Sequence, residues 1–240
     1  MADKSRATIV WDYFMGGTDR AMDTYRDPEL YDRGAHSWLY RRDNLARGIA
    51  DITLRHISPE RENAVLDIGA GTGILSLELA RRGLGVTALD LFRTQLDRLE
   101  AKAVDEDVDH LVTPVVADMN EGLPFSDDAF STVVSLRATR YVEDFDRWVN
   151  EVHRVLEPGG SFVLPVFAID TIPWKRNSDK GIHLPTGYRH LKSAIIEAGF
   201  EINTATATAP RYLQAVDLSL GRRDVPFYYR PKIIVAKAQK

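Results

Sequence analysis

The sequence predicts an α/β fold: a parallel sheet with helices packed on both faces. Three observations lead there. First, the apolar run Asn63 to Ile68 meets a turn carrying Gly69, Gly71 and Gly73, and Ile74, Leu75, Leu77, Leu79 and Ala80 then recur at helical spacing. Second, further apolar runs alternate with helical periods as far as Phe167, and such alternation implies right-handed crossovers between parallel strands. Third, aspartates stand at the carboxyl ends of three runs, Asp67, Asp90 and Asp118, where open parallel sheets bind ligands.

The elements follow in order. Residues 1 to 60 lie outside the strand–helix rhythm. Val10 to Trp38 mixes Trp11, Tyr13, Phe14, Tyr25, Tyr31 and Trp38 with five aspartates, Asp12 to Asp32, and is broken by Gly16 and Gly17. It reads as short helices and loops, serving either as an extension packed on the body or as a lid over a ligand. From Asp43 to His56, the spacing of Leu45, Ile49 and Ile52 predicts a helix that Ser58–Pro59 ends. The chain thus divides into an N-terminal helical lid, 1–42, and a body, 43–240.

In the body, Gly85 to Leu89 reads as a second strand ending in Asp90, and Leu96, Leu99 and Ala103 mark a helix. Val112 to Ala117 and Phe130 to Leu136 read as the third and fourth strands. Phe145, Trp148, Val149, Val152 and Leu156 form one helical face, expected to stop at Pro158–Gly159–Gly160. Ser161 to Phe167 is a fifth strand. After a loop from 168 to 186 come a helix with Leu191, Ile195 and Ala198, a strand from Phe200 to Thr208, an insertion at 210–226, and a last strand from Lys232 to Lys237.

Composition narrows the function. The 240 residues suit one domain with an appendage, and 44% hydrophobic content suits an ordinary core. A net charge of −4 leaves no electrostatic footprint for nucleic acid. The absence of cysteine removes disulfides, thiolate metal sites and a cysteine nucleophile. No histidine or acid cluster has metal-site spacing. Met1 to Arg6 is polar and charged, unlike a secretory signal, and no apolar run approaches the roughly 20 residues of a membrane span. The expected setting is cytoplasmic, with a small-molecule substrate, no nucleic acid, no membrane, and room for a homo-oligomer.

The glycine turn narrows the ligand. A dinucleotide fingerprint places its third glycine five residues after the first. Here Gly69, Gly71 and Gly73 are each two apart, and Asp67 stands two before the first. A turn of this kind lets backbone approach a ligand, and the new helix is expected to aim free N–H groups at an anion. An acid so close to the turn suits an amino group better than a pyrophosphate. Asp90 falls 21 residues after Gly69, where an acid grips ribose hydroxyls. Asp118 could accept from the exocyclic amine of a base. Together the three acids favour a nucleoside ligand.

At this point the chain resembles the class I methyltransferases that use S-adenosylmethionine, and most the small-molecule branch of ubiquinone and menaquinone biosynthesis. The resemblance rests on Val65 to Gly73, Ala88-Leu89-Asp90, Val116-Ala117-Asp118, Leu123 to Phe130, and Arg154 to Gly160, in that order. It implies a Rossmann-like seven-stranded, mostly parallel sheet in the order 3-2-1-4-5-7-6, the last strand antiparallel, with helices on both faces. Tyr228 to Lys237 fits that strand. It also implies roles for particular residues. Gly69 and Gly71 would hold the methionine part of the cofactor, with Asp67 near its ammonium. Asp90 would take the ribose, and Asp118 and Met119 the adenine edge. Leu91 and Phe92 would flank the adenine, and Leu136 would line the site near the sulfonium.

The departures bear on mechanism. Many members read His-His, or a single His, after the fourth strand; this chain reads Arg140-Tyr141 before Val142-Glu143-Asp144. Arg137 and Arg140 either meet an anionic substrate or pair with Glu143, Asp144 or Asp146. Tyr141 either touches substrate or cofactor or belongs to the core. An amine or phenol acceptor can also require a base. His183, in the long loop after the fifth strand, leads candidates that include His36, Tyr25, Tyr31, Asp170 and His190. The residue set carried forward is therefore His183 and Tyr141 for catalysis, with Tyr25, Tyr31 and Arg140 for substrate. A relative recruited to a non-methylating reaction, such as cyclisation, or to an altered sulfonium cofactor is the alternative.

Overall fold

The computed structural model describes residues 50–51, 53–55, 64–136, 138–167, 187–206 and 231–240. The lid, the loop 168–186 and the insertion 210–226 lie outside them. The helix expected before the first strand is present at 50–51 and 53–55, where Asp51 pairs with Arg82 at 2.9 Å.

The strands are β1 (Ala64–Ile68), β2 (Gly85–Asp90), β3 (Val112–Val116), β4 (Phe130–Val134), β5 (Leu156–Phe167), β6 (Phe200–Thr206) and β7 (Pro231–Ala238). The helices between them are α1 (Ile74–Ala80), α2 (Arg93–Asp105), α3 (Phe145–Val155) and α4 (Gly187–Glu197). They form one seven-stranded sheet in the order β3-β2-β1-β4-β5-β7-β6. β1 to β5 run parallel, and β7 runs antiparallel to both β5 and β6.

Period-two alternation divides the apolar side chains between two cores. Leu66, Ile68, Val133, Phe162, Leu164, Ile234 and Ala236 face the layer of Phe145, Trp148, Val149 and Val152 from α3. Val65, Val134, Val163 and Val235, the intervening residues, face Leu75 and Leu79 of α1. Both faces are covered, so β1 and β4 are buried almost end to end. Each fully buried Leu, Ile or Phe contributes about 1.5–3 kcal/mol of transfer free energy. The same alternation puts Asp67 on the α1 face with Val65.

α3 shows how the sequence sets a boundary. Its apolar residues recur at i, i+3, i+4 and i+7, and Asp144 caps it by accepting from the Arg147 N–H at 3.0 Å. Its end differs from the expected one. The helix stops at Val155, and Leu156 is already extended and pairs with Phe130. The next partners are Thr132 and Ser161, so Glu157 to Gly160 form an irregularity within β5 instead of a helix stop. Gly159 there has φ 73°, and a Cβ on Gly160 would lie 2.9 Å from the Glu157 carbonyl. Glycines allow the chain to bulge and rejoin the ladder. β4 likewise ends at Val134, two residues earlier than expected.

Candidate functional site

A groove opens at the carboxyl ends of β1, β2 and β3, beside the point where the strand order reverses between β1 and β4. It is shallow, its empty space being about 290 Å³ when the open solvent at its mouth is counted. Gly69 after β1, Leu89 to Leu91 at the end of β2, Ala117 to Asn120 after β3, and Tyr141 beyond β4 line it. Six of the residues singled out in the sequence therefore meet here: Gly69, Asp90, Leu91, Asp118, Met119 and Tyr141.

The glycine turn fits its surroundings closely. Gly69 has φ 74°, and a Cβ added to it would lie 2.4 Å from the Ala138 Cβ. Within the turn, the N–H groups of Gly69, Ala70, Gly71 and Gly73 are taken up by acceptors of the protein itself. Gly69 and Ala70 both donate to the Leu89 carbonyl at 2.8 and 3.0 Å, and Gly73 donates to Ala70. Gly71 donates to Asp90 Oδ2 at 2.8 Å. The turn is thus bound to the end of β2, because parallel pairing of Ile68 with Leu89 delivers Gly69 beside the Leu89 carbonyl. Lys102 of α2 adds a bond to the Thr72 carbonyl at 3.0 Å. Burial and the neighbouring Arg98 lower the Lys102 pKa.

The three aspartates differ in their surroundings. Asp67 lies beneath the turn, buried, and its Oδ2 accepts the Ser76 hydroxyl at 2.6 Å. Burial pushes its pKa up to about 7; the Asp90 charge adds to the rise and the Ser76 hydrogen bonds oppose it. Asp90 is buried at the groove wall. Its Oδ1 accepts from the Phe92 N–H at 3.0 Å while Oδ2 holds Gly71, so it ties the turn to the start of α2. Asp118 Oδ1 accepts from the Asn120 N–H at 2.9 Å, and among the described residues its Oδ2 has no hydrogen-bond partner.

Leu136 is not among the residues that line this groove. It is buried in the α1-side core with Val65, Leu75 and Val134. Ser135 beside it donates to the Ile68 carbonyl at 3.0 Å, joining β4 to the end of β1. The backbone of Arg140 lies in a short 3-10 turn, Thr139–Tyr141, but its side chain is outside the described residues, as are His183, Tyr25, Tyr31 and Arg137. Among the described residues no group of three or more His, Asp or Glu could hold a metal ion, and no helix is long and apolar enough to cross a membrane.

Sequence reading missed two polar residues. Ser76 interrupts the apolar stripe of α1, which was its only signal. Asn120, directly after the Asp118-Met119 pair, donates from Nδ2 to the Tyr141 carbonyl at 3.1 Å and accepts at Oδ1 from the Glu143 N–H at 2.9 Å. An asparagine in a loop usually signals a local turn, so this longer connection left no pattern to read.

Comparison with known proteins agrees with this geometry. Residues 66–164 match the family described as a methyltransferase domain. A demethylmenaquinone methyltransferase of Porphyromonas gingivalis is 30% identical over 208 residues, covering 83% of this chain and 82% of that protein. A malonyl-acyl-carrier-protein O-methyltransferase of Halorhodospira halophila is 32% identical over 168 residues, 65% of this chain, which spans only 55% of that longer relative. Among solved structures the fold is similar to that of the 4+2 cyclase SpnF, with TM-score 0.60, 21% identity, and coverage of 82% of this chain and 81% of that one. With the sheet order, the groove and a relative matched over most of both lengths in agreement, the chain belongs to the class I S-adenosylmethionine-dependent methyltransferases, in their small-molecule branch.

Proposed function

We propose that this protein transfers the methyl group of S-adenosylmethionine to an oxygen or nitrogen of a small-molecule metabolite. The observation that carries the reading is that two carboxylates, Asp90 and Asp118, line one groove together with Gly69 of the glycine turn. The residues present fit the cofactor. The cradle at Gly69 has no room for a side chain, Asp118 presents an acceptor oxygen without a hydrogen-bond partner among the described residues, and Asp67 is a buried carboxylate that a cation would favour in its charged form.

In this reading the Gly69–Gly71 backbone holds the amino-acid portion and Asp67 supports its ammonium from beneath the turn. Asp90, whose oxygens already hold the Gly71 and Phe92 N–H groups, takes the ribose hydroxyls in this reading, since a carboxylate oxygen accepts more than one bond. Asp118 and the Met119 backbone read the adenine edge, and Leu91 and Phe92 cover its faces. When bound, the cofactor supplies an electrophilic methyl on a sulfonium. The protein's own part is to position the acceptor in line and exclude water. Tyr141, where the resemblance leads one to expect a histidine, lines the same groove. The sequence assigns the base to His183 and the substrate wall to Tyr25, Tyr31 and Arg140, with 1–42 as a lid over 43–240. A cytoplasmic setting belongs to the same reading.

A second reading retains the cofactor site without methyl transfer. It is motivated by Tyr141 in the histidine position and by the shared fold of a cyclase. Calorimetry with S-adenosylmethionine and S-adenosylhomocysteine, repeated on Asp90→Ala, tests what the two readings share: the wild type binds both and the variant loses affinity about tenfold or more. Labelled methyl reaching an acceptor in a metabolite panel then selects the first reading. Cofactor binding without any labelled product selects the second, and no binding by the wild type rejects both.

A further inference from the structure

Two loops meet at the groove without sharing a strand. One leaves β3 and carries Asp118 and Met119. The other leaves β4 and carries Tyr141. Asn120 joins them through both ends of one amide, with Nδ2–H donating to the Tyr141 carbonyl and Oδ1 accepting from the Glu143 N–H. The Tyr141 loop is held at its other end as well. The Tyr141 N–H donates to the Ala138 carbonyl at 2.9 Å, and Ala138 is pressed against Gly69. Glycine turn, Tyr141 loop and Asp118 loop are thus connected into one ring around the groove, with the Asn120 side chain as its closing member.

We propose that Asn120 is a positioning residue that sets the width of the nucleobase end of the groove and so governs how strictly the site selects adenine. The proposal rests on the cofactor reading above. It turns on the need for a donor and an acceptor in one planar group. Aspartate retains the acceptor for Glu143 but sets a negative oxygen against the Tyr141 carbonyl. Alanine removes both bonds. Neither change touches the Asn120 backbone N–H, so Asp118 keeps its local hydrogen bond. What changes is how far the wall bearing Asp118 stands from the wall bearing Tyr141. Buried or half-buried polar groups that match a ligand's amine give strong discrimination only while their geometry is fixed.

The test is calorimetry on the full chain with two ligands: S-adenosylhomocysteine and S-inosylhomocysteine, in which an oxo group replaces the exocyclic amine of adenine. Wild type, Asn120→Ala and Asn120→Asp are compared, with thermal melts alongside. The wild type is expected to prefer the adenosyl ligand by about a hundredfold, and both variants to reduce that ratio about tenfold. A purely structural role for Asn120 would weaken both ligands equally and leave the ratio unchanged, which overturns the proposal. If Asn120→Ala fails to fold, the near-isosteric Asn120→Asp carries the comparison. Wild type that binds neither ligand rejects the cofactor reading and this proposal with it. Wild type that binds both ligands equally rejects this proposal alone.

Discussion

Ser76 and Asp67 share a hydrogen bond of 2.6 Å directly beneath the glycine turn, in a place from which water is excluded. The Asp67 pKa is raised from 3.8 to about 7, mainly by burial. Between those values the folded chain binds a proton that the unfolded chain has released, so stability falls as pH rises. The contribution is full below about pH 4 and lost above about pH 7. Urea denaturation across that range is expected to show the decline, amounting to a few kcal/mol at most, and Asp67→Asn to flatten it. Cofactor binding near pH 6 is expected to release a proton from Asp67, visible calorimetrically in buffers of different ionisation enthalpy. Identical pH profiles for wild type and Asp67→Asn would remove this account.

Three glycines at nearly the same φ separate backbone strain from collision. Gly83 has φ 81° and open space where a Cβ would sit, and Gly69 has φ 74° with the Ala138 Cβ 2.4 Å away. Gly83→Ala is expected to cost about 1 kcal/mol, the left-handed penalty alone. Gly69→Ala is expected to cost several kcal/mol and to abolish cofactor binding, since a wall of the groove must move. Gly73→Ala meets the Leu99 side chain and falls between them. Denaturation midpoints order the three, and equal losses at positions 69 and 83 would contradict the collision.

Asp90 has a structural part separable from any ligand. Its two oxygens hold the Gly71 and Phe92 N–H groups. Asp90→Ala leaves both buried or half-buried donors without those acceptors, and is expected to destabilise the ligand-free chain by about 1–3 kcal/mol. Asp90→Asn keeps one acceptor and is expected to recover part of the loss. Melting curves without cofactor decide; an unchanged melting temperature in Asp90→Ala would confine the residue to ligand contact.

Arg154 fastens the segment between the groove and β4. Its guanidinium donates to the Leu123 and Phe125 carbonyls and to Asp127 and Glu151; Glu151 first and Asp127 next raise its pKa, and it lowers that of Glu151 in turn. Arg154→Lys is not expected to rescue, since an ammonium cannot match a planar fork with several partners. Both Arg154→Ala and Arg154→Lys are expected to lose about 1–3 kcal/mol. A lysine variant as stable as wild type would show that charge alone suffices.

What the sequence disclosed follows from the range of the interactions. Strand and helix positions were legible because period-two and 3.6-residue patterns are local, and the strand order came from the resemblance carried by five ordered motifs. The end of α3 was misread because Pro158 and the two glycines after it signal a break of any kind, and only pairing between Phe130 and Leu156 shows that the strand has already begun. The groove's aspartates were legible because they close strands. Asn120 was not, because its partners at Tyr141 and Glu143 lie 21 and 23 residues away. The inner bonds of the glycine turn were not legible for the same reason: the Leu89 carbonyl that takes two of its N–H groups belongs to a neighbouring strand.

β7 comes last among the strands yet lies inside the sheet, between β5 and β6. During synthesis β6 therefore has no neighbour to join until β7 has been made, and β5 meanwhile shows a long uncovered rim. Such a rim invites pairing with other chains. A fragment cut before residue 231 would keep every described residue of the groove and still be expected to precipitate, so solubility depends on a strand that contributes nothing to the groove's lining.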